Sequence, residues 1–513
     1  MAKELIMVSD TLTFSITLID KTLLTNKSIM FRNLLKLGFT FSIAALTISS
    51  CDHQDFVNIK EDATRVHVNQ ISPDMAKVRD YVPRFAVMAH RGSTFWAPEE
   101  TEAAWRWARN MGADYLESDL QCSKDGVILA NHDDNLCRTT DIENVYGEYV
   151  PHTRKAFYMK HGCTEAEAQK LYEADVAGFR PYNASSYMYE ELLKLDAGSW
   201  FNQSSMEQAR KGFSENHLYI SALEDQIMYA EGKRLKRDEN GERIYKITGK
   251  WDADNCVGKF NHSLKYEFEY EVDPADNGNR PGIYIEFKES WLNPKDIEQR
   301  VSDELDRLGW NIMTKPSSDT EFYRNGKVNV GNTNGKVILQ TFSLESLRRT
   351  AEHFKGQIPM CFLLWPGQGA TDLKNVTPEG YADYINLGLS MKAHIIGPCI
   401  AGAPNNYPEL DAPWMAYLIK KSGMLNHPYS FDSYAQMGKY FGMYNWGNSV
   451  SYEDVLGYTT TKGNKVSVYG DGAFTNRTEL TLKYFIENGL RSPKAAQTVQ
   501  EPEDVLVELG YEK

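Results

Sequence analysis

Basic residues are in deficit. The 513-residue chain holds 56 Lys and Arg against 70 Asp and Glu, a formal net charge of −14. A phosphate backbone needs a basic footprint, so nucleic acid is excluded as a partner class. Cysteine is sparse as well: seven residues, none in Cys-x-x-Cys spacing. That spacing gap excludes zinc ribbons and thioredoxin-like redox chemistry. There is no internal repeat and no low-complexity tract, and nothing points to a protein partner. Beyond residue 51 no apolar run is long enough to span a bilayer. What remains is a globular composition, 42% hydrophobic and 25% charged, in a chain long enough for one large domain with insertions or for two domains.

The N-terminal segment reads as a leader. From Met30 the sequence runs MFRNLLKLGFTFSIAALTISSC. Arg32 and Lys36 are a positive start, Leu37 to Ile48 a short apolar run, and Ile48-Ser49-Ser50-Cys51 resembles a bacterial lipobox. The apolar run is too short for a spanning helix, so residues 1–50 are expected to be a signal peptide with Met30 as its true start. Cys51 is then the lipidated first residue of an exported protein tethered to a bacterial membrane. Of the other six cysteines, buried free thiols are the expectation.

Residues 51–80 read as a tether and lead-in. From residue 81 apolar runs alternate with helical periodicity: FAVMAH (85–90), ADYLESDL (113–120), VILANH (127–132), IYIEF (283–287), KVILQTF (336–342), MCFLLW (360–365), AHIIG (393–397) and KVSVYG (465–470). Buried-looking strands alternating with helices indicate parallel α/β architecture. Polar residues gather where these strands end, which predicts a TIM (β/α)8 barrel over 81–495 with its site at the strand C-termini. Segments near 142–195 and 226–282 break the rhythm as insertions. The second, with KYEFEYEV (265–272) inside, is expected to form a hairpin or lid at the barrel mouth. Residues 496–513 are left as a tail.

Spacing locates the chemistry. In Glu117-Ser118-Asp119 and Glu286-Phe287-Lys288, positions i and i+2 of a strand share a face. Acids placed that close are costly without a cation between them. Three carboxylates from two strand ends suit one hard divalent cation, Mg2+ or Ca2+. His90 and His132 close two apolar runs, and imidazole is the natural proton donor or acceptor near neutral pH. Arg91 and Lys288 stand ready to neutralise phosphate oxygens.

AHRG (89–92), PEET (98–101), GADYLESDLQCSKDG (112–126), HDDNLCRTT (132–140), DAGSWFN (196–202), IEFK (285–288) and LQTFSLESL (339–347) occur in that order. The ordered set resembles the glycerophosphodiester phosphodiesterase family, most closely its secreted bacterial branch. DGAFTN (471–476) is a weaker echo, where that branch has aspartate in place of Asn476. The resemblance implies a TIM barrel and hydrolysis of glycerophosphodiesters to an alcohol and sn-glycerol 3-phosphate. It implies one divalent cation on Glu117, Asp119 and Glu286, and His90 with His132 as the acid/base pair. It further implies phosphate held by Arg91 and Lys288, with Glu99 at the site edge. Glu100 departs from the family's asparagine, and the stretch from Trp365 matches poorly. The alcohol side is therefore open: the same barrel could act on a lysophospholipid, a phosphoinositide or a teichoic-type polymer. The third reading is a surface lipoprotein that only binds phosphorylated ligands.

Overall fold

Eight short strands close a parallel barrel. They are β1 (Ala86–Ala89), β2 (Tyr115–Cys122), β3 (Gly282–Phe287), β4 (Val337–Thr341), β5 (Met360–Leu364), β6 (Ile395–Pro398), β7 (Leu425–Asn426) and β8 (Gly472–Thr475). The paired order is β7-β6-β5-β4-β3-β2-β1-β8, and each pairing is parallel. The ends of that row meet through Asp471 N to Asn426 O (2.6 Å), Phe431 N to Phe474 O (2.8 Å) and Asn476 N to Phe431 O (3.0 Å). A flanking helix of the barrel follows each strand: α1 (Glu102–Met111), α2 (Leu223–Ala230), α3 (Ile297–Leu308), α4 (Leu344–Phe354), α5 (Pro378–Ser390), α6 (Pro413–Lys421), α7 (Tyr434–Tyr440) and α8 (Thr478–Glu487). The fold is the TIM barrel that the alternation predicts. The structure, a computed structural model, describes residues 63–252, 264–288, 291–365, 376–402, 407–442 and 452–513. The predicted signal peptide, the lipobox and Cys51 lie outside the described residues. Among those residues no helix is long and apolar enough to cross a membrane.

The strand sequences explain the interior. A strand presents every second side chain to one face. Met88 of β1, Tyr115 of β2, Tyr284 of β3, Ile338 of β4, Cys361 of β5 and Phe474 of β8 share one apolar cluster. Two residues further along the same faces come His90, Glu117, Glu286, Gln340 and Leu363. Each strand thus begins by filling the barrel with apolar atoms, and most end by presenting polar ones. Helix starts are locally encoded. Ser343 and Thr377 accept backbone N–H groups of α4 and α5, caps worth about 1 kcal/mol each.

Several expectations shift. The strand within VILANH is Ile128–Ala130, which pairs antiparallel with β2 and is no barrel strand. KVSVYG forms a hairpin, Lys465–Ser467 against Gly457–Thr459, and the eighth barrel strand is the following Gly472–Thr475. Segment 142–195 is helical and builds a core of its own with Phe157, Tyr158, Leu171 and Met188, which Trp251 and Leu264 of the second insertion complete. The 496–513 tail contains a helix, Pro502–Glu508, and Trp107 of α1 donates its indole N–H to Pro502 O at 3.0 Å. Of the described cysteines, Cys122, Cys163, Cys361 and Cys399 are buried free thiols and Cys137 is a half-buried one. Cys256 lies outside the described residues.

The lid expectation for 226–282 meets a segment of which residues 253–263 lie outside the described residues. That segment opens inside α2 and continues as two hairpins, Lys233–Leu235 with Tyr270–Val272 and Tyr245–Thr248 with Lys265–Phe268. Its two ends lie at a helix C-terminus and the start of β3, while its second hairpin reaches the 142–195 insertion and the turn after β2, where Tyr266 donates to Asp125 at 2.6 Å. Arg106 and Arg109 of α1 bind Asp273 at 2.7 and 2.6 Å, which fastens it to the barrel flank. None of its described residues lines the cavity at the strand C-termini described next.

Candidate active site

A cavity of about 340 Å³ opens at the strand C-termini, lined by His90, Arg91, Glu117, Asp119, His132, Glu286 and Lys288. All seven side chains assigned from spacing therefore meet. His90 and Arg91 follow β1 on a tight turn closed by Gly92. Gly92 has φ +83°, and a Cβ there would stand 2.5 Å from Ala104 Cβ in α1, so only glycine lets the helix pack this close. Arg91 itself sits at φ +50°, a conformation rare for a non-glycine residue and found preferentially at functional sites.

Glu117 and Asp119 project from β2, Glu286 and Lys288 from β3. Asp119 is in register with Glu286, which is in register with Gln340 of β4. Single ligand oxygens of Glu117, Asp119 and Glu286 lie within 4.8 Å of one another, and the three residues are only 2%, 1% and 5% exposed. Glu117 accepts from Arg91 N at 2.8 Å and from Gln340 Nε2 at 2.9 Å. Lys288 Nζ lies 3.0 Å from Glu286 and 3.5 Å from Asp119. Arg91 Nε approaches Asp119 Oδ2 to 3.1 Å, but without hydrogen-bond alignment, so that buried oxygen receives no hydrogen bond.

The electrostatics leave negative charge in excess. Glu99, Glu100, Glu117, Asp119, Asp133 and Glu286 face only three permanent cations, Arg91, Arg138 and Lys288. Burial, then Asp119, raises Glu117 well above the usual carboxylate range. Burial likewise pushes Glu286 up to about 8 against the pull of Lys288. Burial also opposes the Asp119 charge, yet Lys288, His132 and Arg91 together hold this carboxyl well below its ordinary range. Three oxygen donors, crowded, buried and short of positive charge, fit a hard divalent cation.

The histidines differ in their surroundings. Burial, then the adjacent Arg91, pushes His90 down to about 4, and its Nδ1 lies 2.7 Å from Asn476 Oδ1. His132 is also lowered by burial, but Asp119 and Asp133 oppose the shift. Its Nδ1 lies 2.5 Å from Asp133 Oδ1. Glu99 does not line the cavity. It ties Arg91 (3.3 Å) to Arg138 (2.6 Å), and Arg138 continues to Asp133 at 2.5 Å. Spacing alone assigned no role to Arg138, Asp133, Gln340 or Asn476. Gln340 was findable, since it lies on β4 two residues from Ile338 and from Phe342, in the pattern that exposed Glu117.

The opposite wall is apolar and comes largely from the poorly matching C-terminal third: Leu363, Trp365, Tyr407, Tyr429 and Phe474, with Phe342. A second, more open cavity of about 530 Å³ shares His132 and Lys288 with the first and continues past Asp133, Asp134, Arg138 and Trp291. The histidine–lysine pair therefore stands between two recesses of different character.

Residues 90–272 match the glycerophosphoryl diester phosphodiesterase family profile. A glycerophosphodiester phosphodiesterase of Bacillus subtilis is 31% identical over 142 residues, 28% of this chain and 32% of that one. One from Haemophilus influenzae is 24% identical over 301 residues, 58% of this chain and 60% of that one. The alignments thus span about a third to three-fifths of these two relatives. Among solved structures, an Oleispira antarctica phosphodiesterase in complex with the product sn-glycerol-3-phosphate is 14% identical, with TM-score 0.40, covering 78% of this chain and 97% of that one.

Proposed function

Because residues 90–272 match the glycerophosphoryl diester phosphodiesterase family profile, we propose that the chain hydrolyses glycerophosphodiesters to an alcohol and sn-glycerol 3-phosphate. The observation that carries this reading is the meeting of two histidines, two phosphate-neutralising cations and three buried acids in one cavity. A site that only bound phosphate would have no use for the crowded acids.

In this reading the phosphoryl group sits at the junction of the two recesses, against Arg91 and Lys288, with one arm of the diester in each. Glu117, Asp119 and Glu286 would hold one divalent cation, Ca2+ or Mg2+; when bound, it supplies positive charge to the phosphoryl oxygens and orients the group. His90 is the base. Its depressed basicity keeps it unprotonated at neutral pH, ready to take the proton of the attacking oxygen. His132 is assigned the acid, because Asp133 holds its Nδ1 and, with Asp119, opposes the lowering that burial imposes on the ring. As the bond from phosphorus to the leaving oxygen breaks, His132 gives its proton to that oxygen, and the attacking oxygen completes the phosphomonoester. Arg91 and Lys288 meet the charge that builds on the non-bridging oxygens.

Incubation with glycerophosphocholine tests the reading directly. Choline and sn-glycerol 3-phosphate should appear together, and a chelator should stop the reaction until Mg2+ or Ca2+ is restored. Turnover that is indifferent to chelation would remove the cation from the proposal, and no turnover of any glycerophosphodiester would sink it.

We further propose that the protein is exported and lipid-anchored through Cys51. The support is the basic, apolar and Ile-Ser-Ser-Cys order of residues 30–51. Cys51→Ala should move the protein from the membrane to the soluble fraction. Unchanged sedimentation with membranes would refute the anchor.

A further inference from the structure

His90 is gripped from behind by a chain of two hydrogen bonds. Its Nδ1 lies 2.7 Å from Asn476 Oδ1, and Asn476 Nδ2 donates to Asp432 Oδ1, also at 2.7 Å. The direction of this chain follows from donor and acceptor chemistry. An ionised carboxylate only accepts, so the amide nitrogen of Asn476 must face Asp432 and its oxygen must face His90. An amide oxygen also only accepts, so the proton between the two side chains belongs to His90 Nδ1. The reverse orientation would set amide oxygen against carboxylate oxygen.

Both residues are anchored. Asn476 follows β8, and its backbone N–H donates to Phe431 O at 3.0 Å. Its carbonyl accepts from Ser93 Oγ at 2.8 Å and from Phe95 N at 3.3 Å. Asp432 lies beyond β7, and its N–H donates to Gln436 Oε1 at 2.8 Å. The chain therefore crosses the seam at which the barrel closes, and the closure itself holds the amide in place.

We propose that Asn476 and Asp432 are positioning residues that fix His90 as the Nδ1–H tautomer and leave Nε2 to receive the proton of the attacking oxygen. The proposal rests on the phosphodiesterase reading above. It gives the two histidines unlike supports: His132 leans on its chain neighbour Asp133, whereas His90 depends on two residues more than 340 positions away.

The test is NMR of the full chain carrying isotope-labelled histidine, with the His90 signal identified by its loss in His90→Gln. The wild type should show the Nδ1–H tautomer. Asp432→Asn keeps the volume but lets the Asn476 amide turn either way, so both tautomers should appear and kcat should fall. Asn476→Leu removes the acceptor. It should abolish the preference and lower kcat by about 10–100-fold at unchanged KM, the usual cost of losing an outer partner. The exchanged pair, Asn476→Asp with Asp432→Asn, restores an acceptor for Nδ1–H and a donor behind it, and should restore the tautomer and most of kcat, which a merely structural role would not require. If Asn476→Leu does not fold, the near-isosteric Asp432→Asn carries the test. An Nε2–H tautomer in the wild type overturns the proposal. So does an unchanged tautomer and kcat in Asp432→Asn. A wild type that shows the tautomer but turns over no phosphodiester would count against the activity reading alone.

Discussion

Alanine at His90 or at His132 should lower kcat on glycerophosphocholine by about 10²–10⁴-fold, the range that general acid–base groups contribute. Affinity for a divalent cation, followed by titration calorimetry, should survive in both variants, because neither ring belongs to the acid cluster. The two should then part company on a p-nitrophenyl phosphodiester. That leaving group departs as a stable anion and needs no proton. His132→Ala, which lacks the acid, should recover much of its rate there. His90→Ala should not, because the attacking oxygen still has to lose its proton. The assignment follows from the surroundings: Asp119 and Asp133 oppose the lowering that burial imposes on His132, whereas burial and Arg91 push His90 down to about 4. Recovery of His90→Ala instead would exchange the two roles. Equal loss for both on both substrates would mean that the rings only shape the site.

Much of this arrangement is legible in the sequence, and the reasons are physical. IYIEF, KVILQTF, MCFLLW and AHIIG stand out because a parallel barrel buries both faces of its strands, so they read as unbroken apolar runs. β7 does not stand out, since two residues, Leu425–Asn426, carry no periodicity. β8 was hidden behind a more strand-like neighbour, KVSVYG, whose pairing is local. The site acids were legible because i, i+2 spacing on a strand fixes their direction. Arg138 and Asp432 were not, because each acts through another side chain, Arg138 through Glu99 and Asp133 and Asp432 through Asn476.

Replacing Glu286 with Gln should trade metal binding for stability. Glu286 is buried beside Asp119, and its carboxyl is pushed up to about 8, so in the metal-free protein it is protonated at neutral pH. A neutral Gln has nearly the same shape and still offers Lys288 an oxygen. Below pH of about 4.5, where the wild-type carboxyl is protonated folded and unfolded alike, the metal-free variant should therefore melt within about 2 °C of the wild type, and at pH 7 it should melt higher. The pH dependence should separate them. The folded-state pKa lies above the value near 4.5 expected when unfolded, so between those two values the folded protein holds a proton that the unfolded chain has released. Stability linked to Glu286 is then fully present below pH of about 4.5 and lost as pH rises through about 8, by on the order of a few kcal/mol. Glu286→Gln should abolish that decline. With Mg2+ or Ca2+ present the order should reverse. The wild type gains stability in proportion to cation affinity, while the variant loses a donor oxygen and should bind the ion more weakly by more than the roughly 10–100-fold cost of losing an outer partner. Thermal melts of both proteins across pH, with chelator and with excess cation, decide the matter. If cation raises both melting temperatures equally, Glu286 does not hold the ion, and the excess of carboxylates at the barrel mouth would need another explanation.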